Sequence, residues 1–554
     1  MHFALAALVL LAFAPFAWAD LFWDDYLVIR PDGPIADLSS VWRTWFGRCI
    51  LFPPGYDYPY YRPLIDISFT LEYALAGVHP FLYHLTNFAL HLANALMAFA
   101  ILRTLLGGRL LPAFVGAGLF ALHPIQCESV LWPAARPAVL SLFFAQIAAL
   151  CYLRLWRAGA SPAWIVGVVG GFVAALLSKE VAVALLPPAL LLFCARRSEP
   201  VPRRCWIAAA LLGVALVAYL ALNRAAGDSA SMLSTVGIVA FAEFVFQIFG
   251  FYLAHLAAPF GFAPAYPVWA FRETHFLAIG ALGAAPLLVA FGWGLWRRTP
   301  TAVLVAAGAM LFGGGAVLPA LGGQLTVADR YVYQAMWGLG LLIAVAVCRI
   351  GETRKSITAA GVGLALLALL ALNQSVWWSS SDMLWMRTVQ VAPDSLEGNI
   401  YMGQYHERRG ELAEAATCYE RAAFPPRETS APAKFDAALS LGSARLGLGE
   451  FDAADRALAI AEASPRHANN AIVRRAIVAS ASGNADAARA HIARFADSGK
   501  ELPGIYINLA LLSLRMEGDL AAAAAWYAKA RARGAAPNAE LETAGQKTVV
   551  PESP

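Results

Sequence analysis

Apolar runs of near-span length fill most of the first 375 residues and alternate with short links that carry arginine. A transmembrane helix needs about 20 predominantly apolar residues to cross the hydrocarbon core of a bilayer. The whole chain of 554 residues is 59% hydrophobic and 14% charged, whereas soluble domains carry about 25% charged residues. The sequence therefore predicts a helical protein that crosses a membrane many times.

About eleven spans are predicted in this part of the chain, with boundaries set by the ends of the apolar runs. They lie at residues 2–19, 82–102, 110–122, 137–153, 162–178, 181–195, 206–222, 274–296, 301–320, 331–348 and 357–373. The stretch 235–258 is apolar enough to be a further span, and only the orientation of its neighbours decides whether it crosses.

Orientation follows from lysine and arginine, which are enriched in cytoplasmic links. They collect in alternate links, at Arg103 and Arg109, at Arg154 and Arg157, at Arg196, Arg197, Arg203 and Arg204, at Arg297 and Arg298, and at Arg349, Arg354 and Lys355. If all of these are cytoplasmic, residues 223–273 begin and end outside, and 235–258 is a re-entrant or surface-lying pair of segments. Eleven spans then place the C-terminal part of the chain outside the cytoplasm.

The first apolar run, 2–19, has two interpretations. Ala17 and Ala19 precede Asp20 in the A-x-A pattern of a signal-peptide cleavage site, but only His2 stands before the apolar stretch, where a signal peptide carries positive charge. We therefore expect this run to remain as a membrane anchor. Cleavage would leave the orientation of the other spans unchanged.

Five polar motifs fall on the predicted outer face. They are "FWDDY" (22–26), "YYRPL" (60–64), "HPIQCESVLWPAAR" (123–136), "LSKE" (177–180) and "VADRYVY" (327–333). A single charged residue at the end of a span often serves only as an interfacial anchor. Ionisable groups near membrane depth are costly, however, and five such motifs on one face favour a functional site.

The C-terminal part of the chain contains helical repeats. Gly410, Gly449, Gly483 and Gly518 follow one another at spacings of 39, 34 and 35 residues, within a frame of small and aromatic residues. This period is typical of tetratricopeptide repeats, in which two antiparallel helices pack closely. We predict about four repeats over 396–536. Such repeats commonly hold a peptide, and the alternative is a spacer or scaffold role.

The predicted organisation is all-α throughout. A polytopic membrane domain occupies 1–375, a linker 376–395, the repeats 396–536 and a disordered tail 537–554. The net charge of +4 without a long basic block argues against nucleic-acid binding. The seven cysteines form no CxxC or Cys/His pattern, which argues against a zinc site or a disulfide framework.

The order of the five motifs, followed by the repeats, resembles the transmembrane and tetratricopeptide-repeat protein O-mannosyltransferases, which are GT-C glycosyltransferases. The resemblance covers almost the whole chain and includes the Pro-rich segment "YLAHLAAPFGFAPAYPV" (252–268). It implies an integral protein of a bacterial inner membrane or an ER-like membrane. It also implies transfer of a mannose-like sugar from a polyprenyl-phosphate donor to Ser or Thr hydroxyls of proteins, with inversion, on the periplasmic or luminal side.

The resemblance also gives roles to Asp24 and Asp25. Asp24 is the expected base that takes the proton of the acceptor hydroxyl, and Asp25 its orienter or an acceptor contact. Two adjacent carboxylates raise the pKa of one another, which favours proton uptake. Inverting transfer to a hydroxyl needs one base rather than the two flanking carboxylates of a glycosidase.

The remaining outer-face residues are expected to hold the donor and acceptor. Arg62, Lys179 and Arg330 are the expected phosphate-binding cations. The expected sugar or acceptor contacts are His123, Glu128, Arg136, Glu180 and Asp329. Glu128 and Glu180 have the alternative of pairing with the cations, and His84 and His91 are expected to be packing residues. No metal ligands are evident, and a divalent cation is expected at most as a loosely held ion at the carboxylate pair.

Two other functions remain open from the sequence. The acceptor is either a protein, as above, or a lipid or cell-envelope glycan. Alternatively, the chain is a non-catalytic, membrane-anchored scaffold whose repeats bind partners. The carboxylate pair together with basic partners on the same face favours an enzyme.

Overall fold

The structure is a computed structural model, and it describes residues 1–45, 50–51, 60–156, 161–185, 202–225, 237–267, 269–297, 299–321, 327–427, 433–497 and 503–547. Within these ranges the chain forms helices, turns and irregular loops, and no strand. It divides into two compact units, Met1–Arg387 and Thr388–Pro554. The prediction of an all-helical fold is confirmed.

The first unit contains the apolar helices. Its α-helices are α1 (His2–Phe13), α2 (Asp25–Val28), α3 (Ser40–Arg43), α4 (Pro63–Ala76), α5 (Pro80–Leu105), α6 (Leu110–Leu122), α7 (Cys127–Leu131), α8 (Arg136–Leu155), α9 (Trp164–Ser178), α10 (Arg203–Ala225), α11 (Ile238–Ala257), α12 (Thr274–Arg297), α13 (Pro300–Leu321), α14 (Ala335–Val347), α15 (Arg354–Val376) and α16 (Ser381–Val391). The last of these crosses the division between the units.

Seven helices among the described residues are long and apolar enough to cross a membrane. They are Pro80–Leu105, Pro133–Leu155, Arg203–Arg224, Ile238–Ala257, Thr274–Arg297, Pro300–Leu318 and Arg354–Val376. The pair Leu110–Leu122 and Pro124–Leu131, bent by 49°, is an eighth candidate. Shorter apolar helices lie at His2–Phe16, Trp164–Ser178 and Ala335–Val347. The chain is an integral membrane protein, and these helices lie where spans were predicted except for Ile238–Ala257.

The segment 235–258 differs from the prediction, because Ile238–Ala257 is one continuous helix rather than a pair of segments. Two glycines allow it to pack closely on α12. A Cβ added at Gly250 would lie 1.8 Å from the carbonyl oxygen of Phe276, and one at Gly280 would lie 1.9 Å from that of Phe246. The predicted span 181–195 lies mostly outside the described residues. Whether the chain crosses the membrane an odd or an even number of times therefore depends on this segment and on Ile238–Ala257.

The predicted linker, 376–395, also differs from the structure. Residues Ser381–Val391 form the helix α16, in which Leu384 and Trp385 are buried. A linker would leave such residues exposed to solvent. The burial of the large Trp385 side chain supplies the packing energy that makes this short segment helical.

The second unit is built from pairs of antiparallel helices, and it confirms the predicted repeats. The helices are α17 (Leu396–Arg408), α18 (Leu412–Ala423), α19 (Ala433–Gly447), α20 (Phe451–Glu462), α21 (Ala468–Ala481), α22 (Ala485–Asp497), α23 (Pro503–Leu512), α24 (Leu520–Ala532) and α25 (Ala539–Lys547). The four periodic glycines all have positive φ, from 60° to 79°, in the turn within each pair. A Cβ at Gly403 would lie 2.4 Å from the Tyr419 ring, which explains the small residue there.

The predicted disordered tail is wrong for its first part. Residues Ala539–Lys547 form α25, whose Leu541 is buried and whose Glu540 accepts from the guanidinium of Arg515 at 2.6 Å. A helix at the end of a solenoid covers the apolar edge of the preceding repeat. Residues 548–554 lie outside the part of the chain that the structure describes.

Helix packing in the first unit brings the polar motifs together. α5 packs on α6 and α8, α8 packs on α9, and α14 packs on α6 and α13. Proline begins the helical segment directly after Arg62 and after Trp132, where its missing N–H leaves no bond unmade. Arg62 and Trp132 are the N-cap residues of these helical segments, so their side chains lie at the helix ends rather than within the helices.

Candidate active site

The two adjacent carboxylates occupy different environments. Asp25 is fully buried, and its two carboxylate oxygens accept hydrogen bonds from the backbone N–H of Phe22 and of Ala134, both at 2.9 Å. Burial raises the pKa of Asp25 well above its usual range, and the two hydrogen bonds oppose this rise. Asp25 therefore ties the loop after α1 to the loop before α8.

Asp24 is half-buried, and its carboxylate receives no hydrogen bond from any residue that the structure describes. Burial raises the pKa of Asp24, and the nearby Arg330 cation opposes the rise. The preceding residue, Trp23, has a φ of 44°, which is uncommon for a non-glycine residue and strained for a bulky one. The strained turn and the anchored Asp25 hold Asp24 in place.

Three aromatic and cationic groups lie beside Asp24. The indole of Trp23 is parallel to that of Trp132, with ring centroids 5.2 Å apart and an interplanar angle of 6°. The guanidinium of Arg330 lies over the Trp132 ring, 5.0 Å from its centroid. A cation over an indole face is favourable because of the ring quadrupole. Trp132 thus links the loop that carries Asp24 to the loop that carries Arg330.

Arg330 is also held by a carboxylate. Its guanidinium forms an ion pair with Glu128, and its backbone N–H donates to the other oxygen of Glu128 at 2.9 Å. The Glu128 side chain is buried, so it neutralises Arg330 at a site that excludes water. The neighbouring Asp329 accepts from the hydroxyl of Tyr266 at 3.1 Å, and its pKa is raised well above the usual range by burial.

Arg62 and Glu180 form the second ion pair of the site. Nη2 and Nε of Arg62 donate to the Glu180 carboxylate at 2.8 and 3.1 Å, in a forked geometry. Arg62 is 6% exposed, and its guanidinium also lies 4.1 Å from the centroid of the Tyr60 ring. Of the two possibilities for Glu128 and Glu180, the structure has both paired with the arginines.

Lys179 lies between the two ion pairs. Its ammonium interacts electrostatically with Arg62 and Glu180 of one pair and with Arg330 and Glu128 of the other. Its ammonium lies 5.8 Å from the centroid of the Tyr331 ring. Among the described residues this ammonium has no ion-pair or hydrogen-bond partner. Burial, followed by the repulsion of Arg62, lowers the pKa of Lys179 to about 7.

Arg136 does not face this group, although the sequence suggests a sugar or acceptor contact. It is fully buried and donates to Asn87, Ser68, Glu72 and the carbonyl of Tyr83. All its nitrogens are thereby used inside the helix bundle. The correction has a physical reason, since a fully desolvated guanidinium needs a complete set of acceptors. Arg136 therefore serves the packing of α4, α5 and α8.

His123 is likewise occupied by the backbone. Its Nδ1 accepts from the N–H of Ile125 at 3.2 Å, and its Nε2 lies 3.3 Å from the carbonyl oxygen of Leu256. Neither nitrogen remains for an acceptor or a phosphate, so the expected ligand contact has no support in this geometry. His84 and His91 are buried and contact backbone carbonyls, as expected of packing residues.

The structure therefore groups Asp24, Glu128, Lys179, Arg330 and, through Lys179, the Arg62–Glu180 pair. Sequence reasoning did not single out Trp132, Tyr266 or Tyr331. Trp132 and Tyr331 stand inside motifs that were recognised, but an aromatic residue near a span end is usually an interfacial anchor. In the described residues, no group of three or more His, Cys, Asp or Glu side chains is arranged to hold a metal ion.

Part of the chain is similar in sequence to known protein O-mannosyl-transferases. Protein O-mannosyl-transferase tmtc2 of Xenopus laevis is 31% identical over 188 residues, which are 33% of this chain and 22% of that protein. Protein O-mannosyl-transferase Tmtc1 of Drosophila melanogaster is 32% identical over 171 residues, 30% of this chain and 20% of its own length. This chain is similar to the protein O-mannosyl-transferases. The match spans about a fifth of the length of these curated relatives.

Solved structures add distant neighbours. ArnT from Cupriavidus metallidurans bound to undecaprenyl phosphate has 16% sequence identity and a TM-score of 0.38, over 81% of this chain and 78% of that one. MamA has 19% identity and a TM-score of 0.24, over 30% of this chain and 90% of that one. No protein-family model matches the chain.

Proposed function

We propose that this protein is a membrane glycosyltransferase. It transfers a mannose-like sugar from a polyprenyl-phosphate donor to Ser or Thr hydroxyls of proteins, with inversion at the anomeric carbon. One observation carries the proposal: a half-buried carboxylate without a hydrogen-bond donor in the described residues, Asp24, lies beside a group of cations in a loop cluster at the helix ends. The similarity to protein O-mannosyl-transferases supports the choice of sugar and acceptor.

Asp24 is the proposed base. The acceptor hydroxyl gives its proton to the carboxylate while its oxygen forms a bond to the anomeric carbon. The bond between that carbon and the phosphate oxygen breaks, the electron pair of that bond stays on the phosphate oxygen, and polyprenyl phosphate leaves. Because burial raises the pKa of Asp24, its carboxylate is a stronger proton acceptor than one in water.

Lys179 is the proposed first contact of the donor phosphate. Arg62 and Arg330 are already neutralised by Glu180 and Glu128, whereas Lys179 has an ammonium without a carboxylate partner in the described part of the chain. An arriving phosphate would supply the missing negative charge. The positive charges of the two arginines, which act on Lys179 from both sides, would then stabilise the charge that develops on the leaving phosphate.

The proposal includes no firm cofactor, and a divalent cation is at most a loosely held ion at the Asp24–Asp25 pair. Its contribution is to be tested by chelation, with activity measured before and after magnesium is restored. The proposed location is a bacterial inner membrane or an ER-like membrane, with the site and the repeats on the periplasmic or luminal side.

The repeats are proposed to hold the acceptor protein, and a feature of Arg474 supports this. Its guanidinium is half-buried, donates from Nε to Asn470 at 3.3 Å, and has no carboxylate partner among the described residues. Burial lowers the pKa of Arg474, and Glu407 opposes this effect. Glu407 lies on α17 and Arg474 on α21, with α19 between them, so both charges lie on the surface that the first helices of the repeats share.

The deciding experiment compares the Asp24→Asn variant with the unmodified protein, both in lipid nanodiscs. The substitution keeps the size of the side chain but removes its ability to take a proton. We expect the variant to bind donor normally and to lose about 10²- to 10⁴-fold in turnover with a polyprenyl-phosphate mannose and a Ser/Thr peptide library.

Asp32→Asn is the matched control, because Asp32 is a carboxylate close by in the sequence that is 79% exposed and paired with Arg30. It should leave turnover unchanged. Normal transfer by Asp24→Asn would refute the base. Absence of transfer by the unmodified protein with every sugar donor tried would favour a scaffold instead.

A further inference from the structure

The indole N–H of Trp132 has no hydrogen-bond partner among the residues that the structure describes. Trp132 is 3% exposed, so water does not reach this group freely. Buried polar groups in native proteins are nearly always paired, and an exception calls for an explanation such as a bound molecule. By contrast, the indole N–H of Trp337 donates to Gln146 at 3.3 Å.

The position of the Trp132 ring is fixed from several sides. Its backbone carbonyl accepts from the side-chain amide of Asn87 at 2.9 Å and from the N–H of Ala135 at 3.0 Å. Its ring is stacked on Trp23 and lies beneath the Arg330 guanidinium. These contacts use the faces of the ring and leave the N–H at its edge unused. A phenylalanine would also stack here, with a smaller ring and a weaker attraction to the Arg330 guanidinium, but only an indole adds an N–H donor.

The proposed reaction determines what lies next to this indole. Inverting transfer requires the anomeric carbon to lie between the base and the leaving phosphate. Asp24 follows Trp23 directly in the chain, and Arg330 lies on the Trp132 ring. Trp132 therefore contacts both the residue that precedes the proposed base and one of the proposed phosphate-binding cations. In the proposed reaction the donor sugar lies between that base and that cation, next to the indole, and its hydroxyl oxygens are good acceptors for an N–H donor.

We propose that the indole N–H of Trp132 donates a hydrogen bond to a hydroxyl of the donor sugar, which makes Trp132 a residue that determines sugar specificity. This inference rests on the proposed function. The phosphate is the other source of acceptor oxygens. It is less favoured because Lys179 and Arg330 already supply charged donors for it, and charged donors bind phosphate more strongly than an indole.

The test uses Trp132→Phe, which removes the N–H and keeps an aromatic ring at this position. Binding is measured in nanodiscs for two ligands, a polyprenyl-phosphate mannose and the same polyprenyl phosphate without sugar. We expect the variant to bind the sugar-bearing lipid about tenfold more weakly, the usual effect of one hydrogen bond, and the bare lipid phosphate as before. Trp337→Phe is the control, and both ligands should bind it normally.

Each other outcome decides the matter. An equal loss for both ligands would assign the N–H to the phosphate and overturn the proposal, and no loss for either would show that the N–H serves no ligand. Deoxy analogues of the donor sugar, tested on the unmodified protein, give an answer even if the variant does not fold. If none of them binds more weakly than the parent donor, the proposal is wrong. Failure of the unmodified protein to bind either lipid would instead overturn the proposed function, and this inference with it.

Discussion

Lys179 differs from the two arginines of the site because a lysine can lose its charge at physiological pH when it is buried. Its pKa is lowered to about 7, first by burial and then by the Arg62 cation. Near neutral pH, the empty site therefore contains a mixture of charged and neutral Lys179. A phosphate that arrives next to it favours the charged form, so donor binding should take up a proton.

This linkage predicts a pH dependence of donor affinity. Below about pH 7, Lys179 is already charged and affinity should be constant, whereas above its pKa affinity should fall by up to about tenfold per pH unit. Lys179→Arg should remove the dependence, because arginine stays charged throughout. The measurement is donor binding in nanodiscs between pH 6 and pH 9.

Lys179→Ala serves as the second variant and should bind weakly at every pH. A slope above pH 7 that persists in Lys179→Arg would show that another group titrates, and the role of Lys179 in phosphate binding would be rejected.

At the level of elements, the first helices of the repeats carry the proposed acceptor surface. Arg474 on α21 is half-buried without a carboxylate partner in the described ranges, while its neighbour Arg475 pairs with Asp455 and Glu462. An acidic group on a bound peptide would form an ion pair with Arg474, as Asp455 and Glu462 do with Arg475. The repeats are therefore expected to favour acceptors with an acidic residue.

Arg474→Ala should raise the KM for peptides that contain an acidic residue by about tenfold and leave kcat unchanged, because one charged contact is lost in binding alone. Arg456→Ala is the control, since Arg456 is exposed on α20. Peptides with the acidic residue replaced by its amide should not distinguish Arg474→Ala from the unmodified protein. Equal KM values for acidic and amide peptides in the unmodified protein would contradict the proposed contact.

At the level of the whole molecule, the side of the membrane is decided by the number of crossings. Ile238–Ala257 is a continuous helix of span length, and 186–201 lies outside the described residues. We expect the loop after α1 and the repeats to lie outside the cytoplasm, and the link between α14 and α15 to lie in the cytoplasm.

Labelling with a membrane-impermeant maleimide tests this arrangement. Single cysteines at the exposed positions Tyr26 and Glu414 should react in intact cells, and one at Ile350 should react only after lysis. All seven native cysteines are first replaced by serine, so that each variant carries a single reactive thiol. Reaction of the cysteine at position 350 in intact cells, or protection of the cysteine at position 414, would contradict the predicted orientation. Protection at 414 together with reaction at 26 would place the repeats on the opposite side of the membrane from the site.

The sequence by itself predicts the features that depend on neighbours in the chain. Apolar runs of span length determine the membrane helices, since a backbone in lipid must satisfy its own hydrogen bonds. Periodic glycines such as Gly410 and Gly449 determine the repeats, because each turn needs a positive φ. The five polar motifs are also visible, and the structure brings residues from all five together.

Only the tertiary structure decides what each polar side chain does. Arg62 and Glu180 are 118 residues apart and Glu128 and Arg330 are 202 apart, so no local pattern predicts which carboxylate neutralises which arginine. The same holds for Arg136, whose complete burial withdraws it from the site, and for Trp132, whose indole N–H is left unpaired in the described structure. The physical reason is that charge and hydrogen-bond satisfaction depend on distance in space, and helix packing sets that distance.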